Sequence, residues 1–357
     1  VSWNQPKENS IASLREGIER FDGVEFDLRM TRDGELVLHH DRTLSVPAAK
    51  KVGLPRYVED CTLDQICELG FDSFDDLLLD DGFMKSWLEE SRFVCLEMKI
   101  PHPASSAGGG WTSPATRTAH LRKMMDLSMQ KLKASGVEKN NAIFYSFHDS
   151  VGRLNRSLGS NWNAVSLRPV VPPFGSSRVQ RALTFPRFIA NPLKRLVKRQ
   201  RQDGASLLPI AMEYLEGWTR FLPLGRSVSL SGKGLQRFND FRGGDPVIVW
   251  QVEDRHEIPL LEAGMCPLTD NADPSFTKFP SGLTRRTRPA TLLYDEIPWH
   301  ESSDSQRREM IEKWRKKWHW KDSVEDIVSP SSATSLPWKA VRMLGHRGCG
   351  KTGGPQK

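Results

Sequence analysis

The chain alternates between short apolar runs and longer amphipathic stretches. In Val24-Glu25-Phe26-Asp27-Leu28 the apolar residues occupy every second position, which predicts a strand with Glu25 and Asp27 on one side and Val24, Phe26 and Leu28 on the other. Asp33-Gly34 marks a turn, and a second strand is expected over 36–41, running Leu36-Val37-Leu38 into His39-His40-Asp41. Before this pair, Asn9-Ser10 caps a helix whose apolar positions are Ile11, Leu14 and Ile18. Further strands are expected at 93–98 (FVCLEM), 142–147 (AIFYSF), 164–167, 207–212, 227–230, 247–252, 265–269 and 340–344. Helices are expected around 62–69, 74–79, 118–134 and 306–320, and from Asn191-Pro192 onward (PLKRLVKRQRQ). Gly, Ser and Pro dominate 101–117, which reads as a mobile loop.

Strands alternating with helices argue for parallel βαβ units. Nine or ten strand candidates fit an eight-stranded (β/α)8 barrel with one or two strands outside it. No GxGxxG follows a strand, which lowers a dinucleotide-binding fold. Polar residues collect where the strands end: Asp27, His40-Asp41, Glu97, Lys99, Ser146, Trp250, Asp270 and His346-Arg347. In a (β/α) barrel these ends meet at one face, where active sites lie.

Composition narrows the picture. The chain has 357 residues, 38% of them hydrophobic, enough for one large α/β domain or two ordinary ones. It contains no run of eighteen apolar residues, and VSWNQPKENS has no apolar signal-peptide core. Five cysteines, an odd number without a CxxC pair, suggest neither zinc nor a disulfide framework, so a cytoplasmic setting is expected. The net charge of +7 favours anionic partners. No nucleic-acid-binding motif accompanies it, so a nucleic-acid role is not expected.

Glu25, Asp27 and Glu97 lie inside apolar strands, where unpaired charges are costly. Three carboxylates together call for a cation, and an all-oxygen set suits one Mg²⁺ or Ca²⁺. The plainer reading pairs each acid with a basic residue. His40 and His346 each closely follow an apolar strand and could act as general base and acid; a capping or core role is the alternative. Alternation sends His39 to the opposite side from His40. Arg347 and Lys99 suit a phosphate, or are ordinary solvated charges. Together these groups point to metal-assisted phosphodiester cleavage.

The motifs GHRG at 345–348, KENS at 7–10, VEFDLRMTRDGELVLHHD at 24–41 and LEMK at 96–99 resemble those of the glycerophosphodiester phosphodiesterase family, with weaker matches at YSF (145–147), VWQV (249–252) and PLTDNAD (267–273). The resemblance implies a (β/α)8 barrel and metal-dependent hydrolysis of a glycerophosphodiester to glycerol 3-phosphate and an alcohol. It implies His346 and His40 as the acid–base pair, Glu25, Asp27 and Glu97 as metal ligands, and Arg347 and Lys99 as phosphate contacts. Trp250 and Phe147 are expected to wall the substrate pocket. An insertion is expected at 42–92. The alternatives are a phospholipase D-like enzyme acting on lysolipids, similar in fold to sphingomyelinase D, and an inactive phosphate- or lipid-binding barrel. Peripheral contact with anionic membrane through the basic run 192–201 goes with the lysolipid reading.

One departure is large. In the family the HRG motif precedes the PENT-like motif, whereas here it lies at 346–348, far beyond KENS. Joining 357 to 1 restores the family order, so the chain reads as a circular permutant. The barrel is then expected from 1–273 and 338–357, with 274–337 as a bridging segment and tail helix. The Arg347 loop, untied on its far side, is expected to soften the site.

Overall fold

In the computed structural model, which describes residues 3–44, 50, 53–172, 174, 177–217, 228–292 and 297–352, nine strands form one sheet system. They are β1 (Gly23–Met30), β2 (Leu36–Leu38), β3 (Phe93–Met98), β4 (Ala142–Ser146), β5 (Ala164–Ser166), β6 (Leu208–Ala211), β7 (Val247–Trp250), β8 (Cys266–Thr269) and β9 (Leu344–His346). Eight run parallel in the order β5-β4-β3-β1-β9-β8-β7-β6, and a bridge between Arg168 and Ile210 nearly closes the ring. β2 pairs antiparallel with β1 and stands outside the barrel. This is the (β/α)8 barrel that the strand count anticipates, with the one extra strand accounted for by the Asp33-Gly34 hairpin.

The helices between and around these strands are α1 (Ile11–Arg20), α2 (Leu63–Cys67), α3 (Phe74–Leu78), α4 (Asp81–Glu89), α5 (Pro114–Ala134), α6 (Val151–Ser157), α7 (Ser177–Ala190), α8 (Leu193–Gln202), α9 (Gly232–Arg242), α10 (Asp254–Glu262), α11 (Asp304–Trp318) and α12 (Val324–Val328). The Ser10 hydroxyl caps α1, accepting from Ser13 N at 3.2 Å. Thr62 and Gln65 form a reciprocal capping box on α2.

Several boundaries differ from the sequence reading. β2 stops at Leu38: His39 N still donates to the Asp27 carbonyl at 3.1 Å, and the chain then turns away from β1. Residues 228–230 are irregular although 227–230 is apolar enough for a strand, and Ser227 lies outside the described residues. Val228 and Ser229 instead donate to the carbonyls of Tyr214 and Leu215, packing as a loop on the short helix after β6. The last strand is 344–346 and not 340–344: Ala340 and Val341 are buried among tryptophans, outside the sheet. α4 was not anticipated, and α5 begins four residues earlier than expected, with Pro114 at its first turn. Of the stretch 42–92, Leu44, Leu54, Leu63, Leu69 and Phe71 gather round Val58, Cys61 and Ile66, whereas Phe74, Leu77, Phe83 and Trp87 belong to the main core.

Residues 274–337 lean on the barrel through Trp299, Trp318 and Trp320, which pack with Leu261, Ala340 and Val341. Asp22, fully buried at the entry to β1, ties that segment in. Its carboxylate accepts from the backbone N–H of Ala290, Thr291 and Met343 and from the Thr291 hydroxyl. No described helix is long and apolar enough to cross a membrane.

Candidate active site

Register brings the predicted groups together. In the parallel pair β1–β3, Asp27 stands opposite Glu97; in β1–β9, Glu25 stands opposite His346. Alternation on β1 sends Val24, Phe26 and Leu28 to the apolar core under the helices and Glu25, Asp27 and Arg29 to the other side. One carboxylate oxygen from each of Glu25, Asp27 and Glu97 lies within 4.8 Å of the other two. All three residues are at most 7% exposed.

The cluster carries its own cations. Lys99 Nζ sits 2.8 Å from Asp27 Oδ1 and 2.6 Å from Glu97 Oε1. Arg347 pairs with Glu8 at 2.6 Å and with Asp27 at 3.3 Å, and its backbone N–H donates to Glu25 at 3.1 Å. Asn9 donates its amide to Asp27 Oδ2 at 2.7 Å and accepts from Asp27 N at 3.1 Å. Glu8, Glu25, Asp27 and Glu97 against Lys99 and Arg347 leave two uncompensated negative charges if all are ionised. Burial and the adjoining acids push Glu25 well above the usual carboxylate range, and burial raises Glu97. Burial acts the same way on Asp27, but Lys99, His40 and Arg347 outweigh it and hold that carboxyl low.

The set therefore fits a hard divalent cation. Its donors are all oxygen, and the excess negative charge matches. The plain pairing with basic residues is present as well, through Lys99 and Arg347.

The histidines flank this cluster. His346 Nδ1 lies 2.7 Å from Asp270 Oδ1, at the end of β8, and its Nε2 is 3.6 Å from Glu25. His40 Nδ1 lies 2.9 Å from Asp41 Oδ1. Burial is the main influence on both rings: it lowers His346 against the pull of Asp270, and with Lys99 it takes His40 down to about 3. His39 points away as alternation requires, buried edge-on against Phe71 at 4.7 Å.

Asp270, Asp41 and Glu8 enter the site without having been assigned a role from sequence, and Asn9, expected to cap α1 with Ser10, instead bonds Asp27. Their signals were present in PLTDNAD, HHD and KENS, but which carboxylate meets which ring depends on loop geometry. Arg29 is a further addition: buried, it bonds Glu59 at 2.7 Å and the His40 carbonyl at 3.2 Å, tying the 58–60 turn to the histidine.

The Arg347 loop is held from the side. Arg347 and Asn9 both have left-handed backbones (φ 52° and 53°), and Asn9 N donates to Arg347 O at 3.2 Å. The Ser13 hydroxyl donates to the same carbonyl and accepts from Cys349 N. Gly348 (φ 87°) passes so close to α1 that any Cβ would collide with the Ser13 carbonyl. Gln5 donates to the carbonyls of Cys349, Gly350 and Lys351. The untied loop expected from sequence is thus bound to the segment leading into α1.

Beside the cluster opens a cavity of about 1080 Å³. Arg29, His40, Glu97 and Lys99 line its polar end. Phe147 and Trp250, in edge contact at 5.3 Å, line an apolar wall with Val171, Phe185 and Phe188.

Residues 2–157 match the model of the glycerophosphoryl diester phosphodiesterase family. Among solved structures, the glycerophosphodiester phosphodiesterase of Thermotoga maritima is 17% identical, over 70% of this chain and 81% of that one, with a TM-score of 0.40. A phosphodiesterase of Oleispira antarctica, solved with the product sn-glycerol-3-phosphate, is 14% identical over 73% and 86%, with a TM-score of 0.44. A putative glycerophosphodiester phosphodiesterase of Galdieria sulphuraria is 16% identical over 73% and 86%, with a TM-score of 0.43. No curated protein matches significantly. The matched segment carries His40, Glu25, Asp27, Glu97 and Lys99; His346, Arg347 and Asp270 join them through β8 and β9. Residues 2–157 of this chain are thus similar to the glycerophosphoryl diester phosphodiesterase family.

Proposed function

We propose that this chain hydrolyses glycerophosphodiesters to glycerol 3-phosphate and an alcohol by two-histidine acid–base catalysis beside a divalent-cation site. The family sets the class, a phosphoric diester hydrolase. The observation that carries the mechanism is the register that sets His346 against Glu25 and Glu97 against Asp27.

Glu25, Asp27 and Glu97 would hold Mg²⁺ or Ca²⁺. Such an ion supplies Lewis-acid charge for a phosphoryl oxygen. Lys99 and Arg347, paired with the same carboxylates, would turn their remaining N–H groups to the other phosphoryl oxygens. With the proton on Nδ1, His40 and His346 would donate to Asp41 and Asp270, which would fix both rings and leave each Nε2 for the proton transfers. One histidine takes the proton of the attacking hydroxyl and the other gives a proton to the leaving alcohol.

His40→Ala and His346→Ala are each expected to lower kcat by about 10² to 10⁴ while leaving the thermal midpoint near that of the wild type. Choline release from glycerophosphocholine reads the first and calorimetry the second; turnover at the wild-type rate in either variant would remove that histidine from the reaction.

The apolar wall favours a second reading. A cavity of about 1080 Å³ ending in Phe147, Phe185, Phe188 and Trp250 has room for an acyl-bearing diester such as a lysophospholipid. Comparing kcat/KM for glycerophosphocholine and lysophosphatidylcholine decides between the two. The reversed motif order, with HRG on the strand that closes the ring onto β1, supports reading the chain as a circular permutant.

A further inference from the structure

Charge is distributed very unevenly along the chain. Between Asp149 and Asp203 there are 11 Lys and Arg and no Asp or Glu. This single segment exceeds the net +7 of the whole protein, so the remainder is net negative. It contains α7, which lines the cavity, and α8, which follows it.

The two helices use their apolar residues differently. α8 buries Leu193, Leu196 and Val197 against Leu208, Ile210 and Phe238, leaving a solvated basic face. The apolar stripe of 192–201 is therefore committed to the core. α7 turns Thr184 and Phe188 inward, and on its outward side Val179, Leu183 and Pro186 recur at i, i+4 and i+7. Val179 and Leu183 are 45% and 49% exposed, and Phe185 at the mouth of the cavity is 40% exposed. Arg178 and Arg187 flank this strip; Arg187 lies within electrostatic reach of Asp149 but forms no close ion pair with it among the described residues. Trp111, 63% exposed, packs edge-on against Phe174 just ahead of the helix at 4.9 Å and extends the apolar surface.

We infer that α7, with Trp111 beside it, docks on an anionic phospholipid surface and sets the mouth of the cavity against the bilayer. Interleaved arginines and apolar side chains at an exposed helix suit an interface with anionic headgroups above and acyl chains below. Charge decides against the other occupants. A second copy would bring two basic segments together, and a polyanion such as nucleic acid leaves the aliphatic strip of Val179 and Leu183 unused. Docking stands on the surface itself; only its consequence, preference for a membrane-borne diester, rests on the hydrolase reading above.

The test is co-sedimentation of the full chain with vesicles of phosphatidylcholine alone or mixed with phosphatidylserine. Binding is expected only to the anionic vesicles, and it should weaken as salt rises. The combined variant Val179→Asp, Leu183→Asp, Arg178→Ser, Arg187→Ser should lose at least roughly tenfold in partitioning, since each basic residue near such a surface contributes about fivefold. Circular dichroism and turnover of glycerophosphocholine should be unchanged in that variant. The first of these keeps the docking test valid if the hydrolase reading fails. Absence of wild-type binding at low salt, equal binding to neutral vesicles, or full binding by a folded variant would each overturn the inference. So would binding of heparin or single-stranded DNA, lost in the variant, without any vesicle binding.

Discussion

Among individual residues, the least expected finding is that both candidate histidines are held by carboxylates of their own. Asp270 reaches His346 across the barrel rim, and Asp41 holds His40 from the next position along the chain. If Asp270 fixes the ring orientation, Asp270→Asn should lower kcat by about 10- to 100-fold with KM little changed. Steady-state kinetics on glycerophosphocholine checks this; a change confined to KM would place Asp270 in substrate binding. The residues of the site were largely legible in the sequence because carboxylates in apolar strands and histidines just past them are costly without a purpose. Alternation alone separated His40 from His39. Asp270, Glu8 and Arg29 were not assigned because each acts through a loop or a partner distant in sequence, and no periodicity encodes that. Arg29 illustrates this: its place on β1 follows from alternation, but its partner Glu59 lies 30 positions on, in a short turn.

For the elements, hydrophobic pattern placed the strands well and their ends poorly. β1 and β3 are uniformly buried and were read almost to the residue. β9 was displaced because Ala340 and Val341 are as apolar as a strand but serve the tryptophan cluster. The segment 228–230 shows the same ambiguity, its apolar residues packing as a loop. Burial alone cannot separate these cases; the backbone partner does. One such partner is Asp22, which receives three N–H groups and a hydroxyl where β1, the 290–291 segment and the lead into β9 meet. Asp22→Ala would strand these buried donors, and unfolding in urea should show a loss of about 3–5 kcal/mol. A loss below about 1 kcal/mol would mean that the junction relaxes and that the carboxylate is not its tie.

For the whole molecule, the strand order round the barrel follows the chain from β1 to β9, with β2 set aside, and the last strand closes onto the first. A ring has no intrinsic start, so the same barrel can be cut at different loops. The contacts of Gln5 with the carbonyls of 349–351, and of Asn9 with Arg347, put the 3–9 and 347–352 segments side by side. A chain running from 330 to 357 and then from 1 to 329 restores the HRG-first order, with its cut between the exposed Ser329 and Pro330. It is expected to fold with a stability within about 1 kcal/mol of the parent and to keep its activity. Failure to fold would show that the covalent link through 329–330 is needed to assemble the barrel. The overall architecture was legible because the alternation of elements repeats round the ring; the closeness of distant segments was legible only through the motif order.

We propose that buried Glu25, Asp27 and Glu97 form a divalent-cation site serving two histidines in phosphodiester hydrolysis. The most direct test is choline release from glycerophosphocholine by the purified chain, measured after EDTA treatment and again after Mg²⁺ or Ca²⁺ is restored. Activity should vanish with EDTA, return with one of the two ions, and fail to return in Glu97→Gln. Undiminished hydrolysis in EDTA would show that no exchangeable cation at Glu25, Asp27 and Glu97 takes part in the reaction.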